Sequence, residues 1–338
     1  MLKSLQKAFK VKEVRDRLLY TFMMLVVIRI GCCLPIPGVD PSYLHDFFSN
    51  LQNSGMGFFN AITGGSFSSM SIFALSITPY ITSSIIMQLL TIAIPKLEEM
   101  QKDGEDGRKK IAEYTRYLTV GLALFESCAM AVGLGGKGLL LEDHRNIWGY
   151  LTVVAAMTAG SALLMWIGER ITDNGVGNGI SIVLLINIVS GTPQDMMTLY
   201  ERFMAGRSVA VATVSGIIVL AIIVAIVVFV LVLNDAERRI PVQYSKKMQG
   251  RRMIGGQSTY IPLKVNTANV IPVIFASSIM SMPVMIAQFF HVDYSTIGGK
   301  ILLALSSSNW FKPEAPAYSI GMLVYIVLVV LFAYFYTS

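Results

Sequence analysis

The sequence predicts an all-α polytopic membrane protein, and three observations carry that prediction. Seven long apolar segments punctuate the 338 residues, charged residues make up 14% of the chain against 54% hydrophobic, and the cations gather in alternate connecting loops. A chain so poor in charge and so rich in apolar runs belongs with proteins whose solvent is the bilayer. The segments cover residues 18–36, 72–94, 117–134, 148–167, 209–233, 270–290 and 318–336, close to the roughly 20 residues a crossing requires.

An eighth crossing is argued from charge. Its apolar run, residues 180–189, is only ten residues long. If it crosses, continuing through the less apolar 190–200, the N-terminus and the loops 95–116, 169–179 and 234–265 share one side and carry 20 of the 27 Lys and Arg residues. If it does not, the most basic loop moves to the opposite face and the positive-inside rule fails. The expectation is therefore eight spans with a cytoplasmic N-terminus. Residues 1–200 form an N-terminal half with spans one to five, and residues 201–338 a partial C-terminal half with spans six to eight.

The N-terminus mixes Lys3, Lys7, Lys10, Lys12, Arg15 and Arg17 with acids, and no small-residue cleavage site follows the first apolar run, so that run is expected to remain as a span. Arg29 lies near its outer end and can snorkel. The stretch from Phe47 to Pro95 then contains no Lys, Arg, Asp or Glu for 49 residues, about twice the length of one crossing. Its second half reads as a span. Its first half, 55–70, is too rich in Gly, Ser and Asn to face lipid, yet too apolar for a solvated loop. Irregular backbone at membrane depth survives where protein buries it or a water-filled cavity receives it, so this stretch points to a pore and to something that closes it.

Covalent chemistry finds little support. Gly175-Val-Gly-Asn-Gly179 has the glycines of a phosphate-cradling loop, but no Gly-Lys-Ser/Thr follows and no strand precedes it. It reads instead as a tight cytoplasmic turn in which Asn178 and the glycines adopt unusual φ values. Cys32, Cys33 and Cys128 fall in apolar segments and His45, His144 and His291 are isolated; no metal site, disulfide framework or cofactor is expected. Within the spans only Arg29 and Glu126 are ionisable, and Glu126 requires a polar partner or a wet surface. So few buried charges argue against a small-solute secondary transporter. The loop 234–265 carries seven cations against Asp235 and Glu237. Ile240, Val242 and Tyr244 alternate with other residues, Gly255-Gly256 supplies a turn and 259–263 is strand-like, so a β-hairpin is expected. Composition alone leaves two readings of the loop open: a solvated segment near anionic lipid, or a dock for RNA or an acidic protein face.

Four segments carry a family resemblance. Arg238-Arg-Ile-Pro-Val-Gln-Tyr-Ser-Lys-Lys247, Asn174-Gly-Val-Gly-Asn-Gly-Ile-Ser181, Asn269-Val-Ile-Pro-Val-Ile-Phe-Ala-Ser-Ser-Ile279 and Arg29-Ile-Gly with Leu34-Pro-Ile-Pro-Gly38 closely resemble the SecY family, central subunits of the bacterial protein-conducting channel, and the likeness runs the length of the chain. It implies a ten-span inverted-repeat channel of which this chain holds eight spans, lacking the last cytoplasmic loop and two spans. It further implies a re-entrant plug helix at about 57–70 (Gly57, Phe58, Ile62, Gly64, Gly65, Ser66, Ser68 and Met70), whose small uncharged residues suit loose packing. A pore ring of Ile77, Ile81, Leu184, Ile274 and Ile279 would stay dry to ions yet yield around a passing chain. Ile77 and Ile81 would share a helix face, whereas Ile274 and Ile279, five apart, fit less well unless Pro272 and Pro283 distort the helix. Gln88, Glu126 and Asn266 match a polar lateral-gate seam that parts when an apolar signal segment intercalates. Arg238, Arg239, Lys246, Lys247, Arg251 and Arg252 match a dock for the ribosome, through its RNA and tunnel-exit proteins, or for a SecA-like motor ATPase.

The resemblance thus implies transport of unfolded secretory chains across, and signal or transmembrane segments laterally into, the bacterial cytoplasmic membrane. SecE-like and SecG-like small subunits, nascent chains and membrane lipids are the expected partners, and no enzymatic activity is expected. A membrane scaffold that anchors ribosomes through the basic loop is the remaining alternative.

Overall fold

The computed structural model describes residues 11–40, 63–135, 138, 140, 141, 145–242, 247–249, 252–254, 259–268, 270–289, 296–306, 309, 310 and 316–337. These form two compact units, Met1–Pro193 with Ser277–Tyr325, and Gln194–Ala276 with Ile326–Ser338. The helices in chain order are α1 (Lys12–Cys33), α2 (Thr78–Ala93), α3 (Pro95–Lys102), α4 (Glu105–Leu134), α5 (Ile147–Asn174), α6 (Gly179–Phe203), α7 (Val209–Asp235), α8 (Ile271–Phe289), α9 (Ile297–Leu305) and α10 (Ile320–Thr337). A helix occupies each of the eight predicted segments. By length and composition, α5, α6, α7 and the helical run Ala317–Thr337 suffice to cross a membrane, and α2 with α3 would make a fifth but for a 102° bend between them.

Proline accounts for that bend. Pro95 opens α3, where its missing N–H costs nothing, and it confines Ile94 to an extended backbone (φ −113°, ψ 111°) that ends α2. Pro79 similarly sits in the first turn of α2. The helix therefore begins at Thr78, six residues later than the sequence suggests. Residues 72–77 form turns although their apolar composition reads as helix, because Ser76 takes a left-handed φ of 52°.

The first unit has two apolar cores. One gathers Ile36, Val39, Phe67, Met70, Leu75, Met130, Leu140 and Met157. Above it the chain makes short antiparallel bridges, Pro35 opposite Ser71 and Val39 opposite Leu140, closed by Ile36 N–H to Met70 O at 3.1 Å and Ile72 N–H to Leu34 O at 3.0 Å. The second joins Ile28, Cys32, Phe73, Ile77, Leu164, Ile167, Ile171 and Val183, with Ile81 and Leu184 packed at its edge. Helices α4 and α5 are also tied by a hydrogen bond between the Ser127 and Thr158 hydroxyls at 2.8 Å and, at one end, by Arg116 Nε to Glu169 Oε1 at 2.7 Å.

In the second unit α7 buries no residue within the chain, as a helix does whose neighbour is lipid or another subunit. Phe275 meets Phe332 and Tyr336 edge-on, with ring centroids 5.6 and 5.4 Å apart. The expected hairpin is present: β1 (Glu237–Val242) pairs antiparallel with β4 (Thr259–Lys264), and β2 (Lys247–Gln249) with β3 (Arg252–Ile254). Both ladders keep one register, Glu237 opposite Lys264 and Gln249 opposite Arg252. The chain therefore reverses between Gln249 and Arg252. The pairing of Gln249 with Arg252 puts the reversal before the expected turn at Gly255-Gly256, and those two glycines lie outside the described residues.

Candidate functional site

Of the plug residues, Gly57, Phe58 and Ile62 lie outside the described residues. The remainder is held more firmly than expected of a loosely packed element. Phe67 and Met70 are 1% and 0% exposed, and Ser66 is buried. The turn closes on itself through Ser71 N–H to Ser66 O at 3.1 Å and Met70 N–H to Phe67 O at 3.1 Å, with Ser68 Oγ donating to Gly65 O at 2.9 Å. The residues 66–71 thus anchor the stretch in the first core. Its corner at Gly64 and Gly65 has φ values of 63° and 81°, a region where a β-carbon clashes.

That corner rests on α6. A β-carbon on Gly64 would stand 2.7 Å from Asn187 O and 2.8 Å from Ser190 Oγ. Ser190 Oγ donates to Asn187 O at 2.7 Å and accepts from Arg29 Nη1 at 2.8 Å. Arg29 is therefore tied to α6 by its charged end, not free to snorkel as the sequence allows. Asn187, 1% exposed, donates from Nδ2 to Ser76 Oγ at 3.0 Å. Sequence reasoning missed Asn187, Ser190 and Ser76 altogether; the only signal was polar residues in an apolar run.

The ring residues of the first unit divide by environment. Ile77 is fully buried and precedes the helix as the N-cap of α2, so it does not lie on a helix face with Ile81; the two are linked by Ile81 N–H to Ile77 O at 3.1 Å. Ile81 and Leu184 are half-buried. On α8, Ile274 is half-buried and Ile279 is 44% exposed. Five residues along a helix turn a side chain by about 140° from its starting direction, so these two point apart.

Of the seam residues, Gln88 is exposed on α2, Glu126 sits on α4, and Asn266 is half-buried in the second unit. Glu126 Oε2 is buried without a hydrogen-bond partner among the described residues. The glycine turn does what a turn should. Gly177 has φ 74° and a β-carbon on Gly179 would lie 1.9 Å from Gly168 O. Asn178 contributes through its side chain rather than its φ: Oδ1 accepts from Ile180 N–H at 3.0 Å and Ser181 N–H at 3.3 Å, capping α6.

In the basic hairpin Arg238 and Arg239 are exposed on β1, and the Arg239 guanidinium lies 4.7 Å from the centroid of the Tyr260 ring, a diagonal cross-strand neighbour. Lys247 and Arg252 lie on β2 and β3. Lys246 and Arg251 lie outside the described residues.

The architecture has known counterparts. A structure described as a protein-conducting channel matches with a TM-score of 0.59 and 20% identity, covering 94% of this chain and 71% of its own. A SecY structure, described by its plug domain's stabilisation of the closed state, matches with a TM-score of 0.60 and 18% identity, over 96% and 73%. The fold is thus that of a protein-conducting membrane channel. In sequence, a model of the SecY family matches residues 71–338. The protein translocase subunit SecY of Streptomyces scabiei is 43% identical over all of this chain and 77% of its own length, and that of Thermus thermophilus is 39% identical over 100% and 75%. The chain belongs to the SecY family, as a multi-pass membrane protein and subunit of a protein-conducting channel.

Proposed function

We propose that this subunit moves unfolded polypeptide across the bacterial cytoplasmic membrane, with its N-terminus cytoplasmic, and releases apolar segments sideways into lipid. The observation that carries the reading beyond family membership is the folded end of the uncharged stretch. Irregular backbone at 63–77 turns back on itself, closes several of its backbone hydrogen bonds internally and buries Phe67 and Met70, as suits a closing element inside a membrane protein. The stretch 57–70 is the plug, and Ile77, Ile81, Leu184, Ile274 and Ile279 form the apolar constriction, with Ile77 serving as its buried base. Gln88, Glu126 and Asn266 line the lateral gate. A buried carboxyl oxygen at Glu126 with no partner among the described residues suits a position that a passing segment would satisfy.

The subunit performs no covalent chemistry in this reading, and needs no cofactor. Energy comes from a docked ribosome, a SecA-like motor or the membrane potential. The exposed guanidinium groups of Arg238 and Arg239 support docking to phosphate-rich RNA or acidic surfaces. SecE-like and SecG-like subunits would cover apolar helices such as α7.

Site-specific photocrosslinking of an arrested secretory chain tests this. Probes go at Ile81, at Ile274 and at the exposed control Val224. Crosslinks at the first two and not the third are expected. Their absence in a correctly inserted channel would overturn the assignment.

A further inference from the structure

Ser76 occupies a left-handed backbone conformation, φ 52°, that serine adopts reluctantly and glycine freely. It stands immediately before Ile77 and is buried to 1% exposure. Such a conformation persists where surrounding contacts over-determine it. The contact here is the amide of Asn187, 111 residues away, donating to Ser76 Oγ at 3.0 Å. The same turn of α6 supports the Gly64 corner, with no room for a β-carbon between Gly64 and Asn187 O. Arg29 also fixes that turn, through Ser190. Three segments distant in sequence therefore converge on one helical turn: α1 through Arg29, the stretch 63–66 through Gly64, and the lead-in to α2 through Ser76.

We propose that Asn187 is a positioning residue for gating. Its bond to Ser76 holds the strained turn that places Ile77, while its backbone seats the Gly64–Gly65 corner. The resting closed state is stabilised by one buried, chain-spanning hydrogen bond, and the threshold a signal segment must overcome is set in part there. This rests on the reading of 57–70 as the plug. Opening requires the corner to leave α6, and an arriving apolar segment offers Asn187 no polar partner. Channel opening and loss of this bond are thus coupled.

The test uses the full chain with its partner subunits in cells whose own copy is replaced. Two secretory precursors serve as probes, one with an intact signal segment and one with its apolar core shortened; resting ion leak is the second readout. Asn187→Ala should raise export of the shortened precursor about tenfold, the shift expected when one buried hydrogen bond is removed from one of two states, with the intact precursor unchanged. Ser76→Gly supplies the discriminating background, because glycine takes the left-handed φ unaided. Asn187→Ala should then add nothing to Ser76→Gly, and this double variant also serves if Asn187→Ala alone accumulates poorly. Equal effects of Asn187→Ala with Ser76 and with Gly at that position, or no effect in either, would overturn the assignment. Deleting residues 57–66 separates the two claims. A deletion that leaks while Asn187 variants stay tight removes only the role of Asn187, whereas a deletion that leaves the resting channel tight removes the plug reading on which it rests.

Discussion

Gly160, midway along α5, lies so close to the backbone of Ile72 that a β-carbon there would stand 2.0 Å from the Ile72 carbonyl oxygen. The contact presses a helix against irregular chain leading into α2, and only hydrogen fits between them. Gly160→Ala should therefore push the two apart and cost about 1–3 kcal/mol, read as a lower midpoint of thermal unfolding in detergent. Gly121→Ala is the control. It sits in α4 with open space at the β-carbon position, and replacement there should leave the midpoint unchanged or raise it, since alanine favours a helix interior by about 1 kcal/mol.

The cap on α6 gives a second expectation. Asn178→Ala removes both bonds from Oδ1 to the N–H groups of Ile180 and Ser181, at a cost of about 1 kcal/mol. Asn178→Asp retains an acceptor in the same place and should lose far less. Limited proteolysis at the 174–179 turn distinguishes them: faster cleavage in the alanine variant is expected, and equal rates would show that the cap contributes nothing.

The Arg116–Glu169 pair joins α4 to α5 at 2.7 Å and raises the affinity of the Arg116 guanidinium for its proton through the hydrogen bond to Glu169. Both side chains remain partly solvated, at 47% and 26% exposure, so solvent screening keeps the pair's coupling below about 1 kcal/mol. A double-mutant cycle with Arg116→Gln and Glu169→Gln should return a small favourable coupling that shrinks with added salt. A coupling several times larger would show that the pair is effectively desolvated.

Docking through the hairpin predicts a distinction between charge and stacking. Arg238→Glu with Arg239→Glu should weaken co-sedimentation with ribosomes about tenfold or more and flatten its salt dependence, as fewer phosphate contacts release fewer ions. Arg239→Lys keeps the charge but loses the planar stack on Tyr260. It should preserve the salt slope while weakening the hairpin itself. Unchanged ribosome binding in the double glutamate variant would remove the hairpin from the docking surface.

Much of the fold was legible because its signals are local. The charge balance of the loops located α6, whose apolar run alone is too short, and strand alternation located the hairpin. The hairpin's reversal was misplaced because two adjacent glycines are a strong local turn signal, while the register is set by the pairing of Glu237–Val242 with Thr259–Lys264 and of Gln249 with Arg252. Residues 72–77 read as helix because apolar composition does not distinguish a buried turn from a buried helix. Ser76 reveals its left-handed backbone only with its neighbours in place. The polar convergence on Asn187 was invisible for a related reason: partners 111 and 161 residues apart are joined by the fold and leave no periodic trace. Arg29 was noticed as an intramembrane charge, but its partner could not be.

The elbow at Pro95 bears on how α2 sits in the bilayer. Its 16 residues give about 24 Å of helix at the standard rise, short of the roughly 30 Å hydrocarbon thickness. At one end it passes into the turns of 72–77, and at the other it turns through 102° into α3. Such a rod spans less than its surroundings and is capped by an elbow. Hydrophobic mismatch falls on it as an axial load that tilting cannot relieve, since tilting a helix shorter than the hydrocarbon layer only shortens its span further. Lipids of different acyl length should therefore change the depth of α2, and with it the height of Ile81, more readily than they change the tilt of the uninterrupted α7.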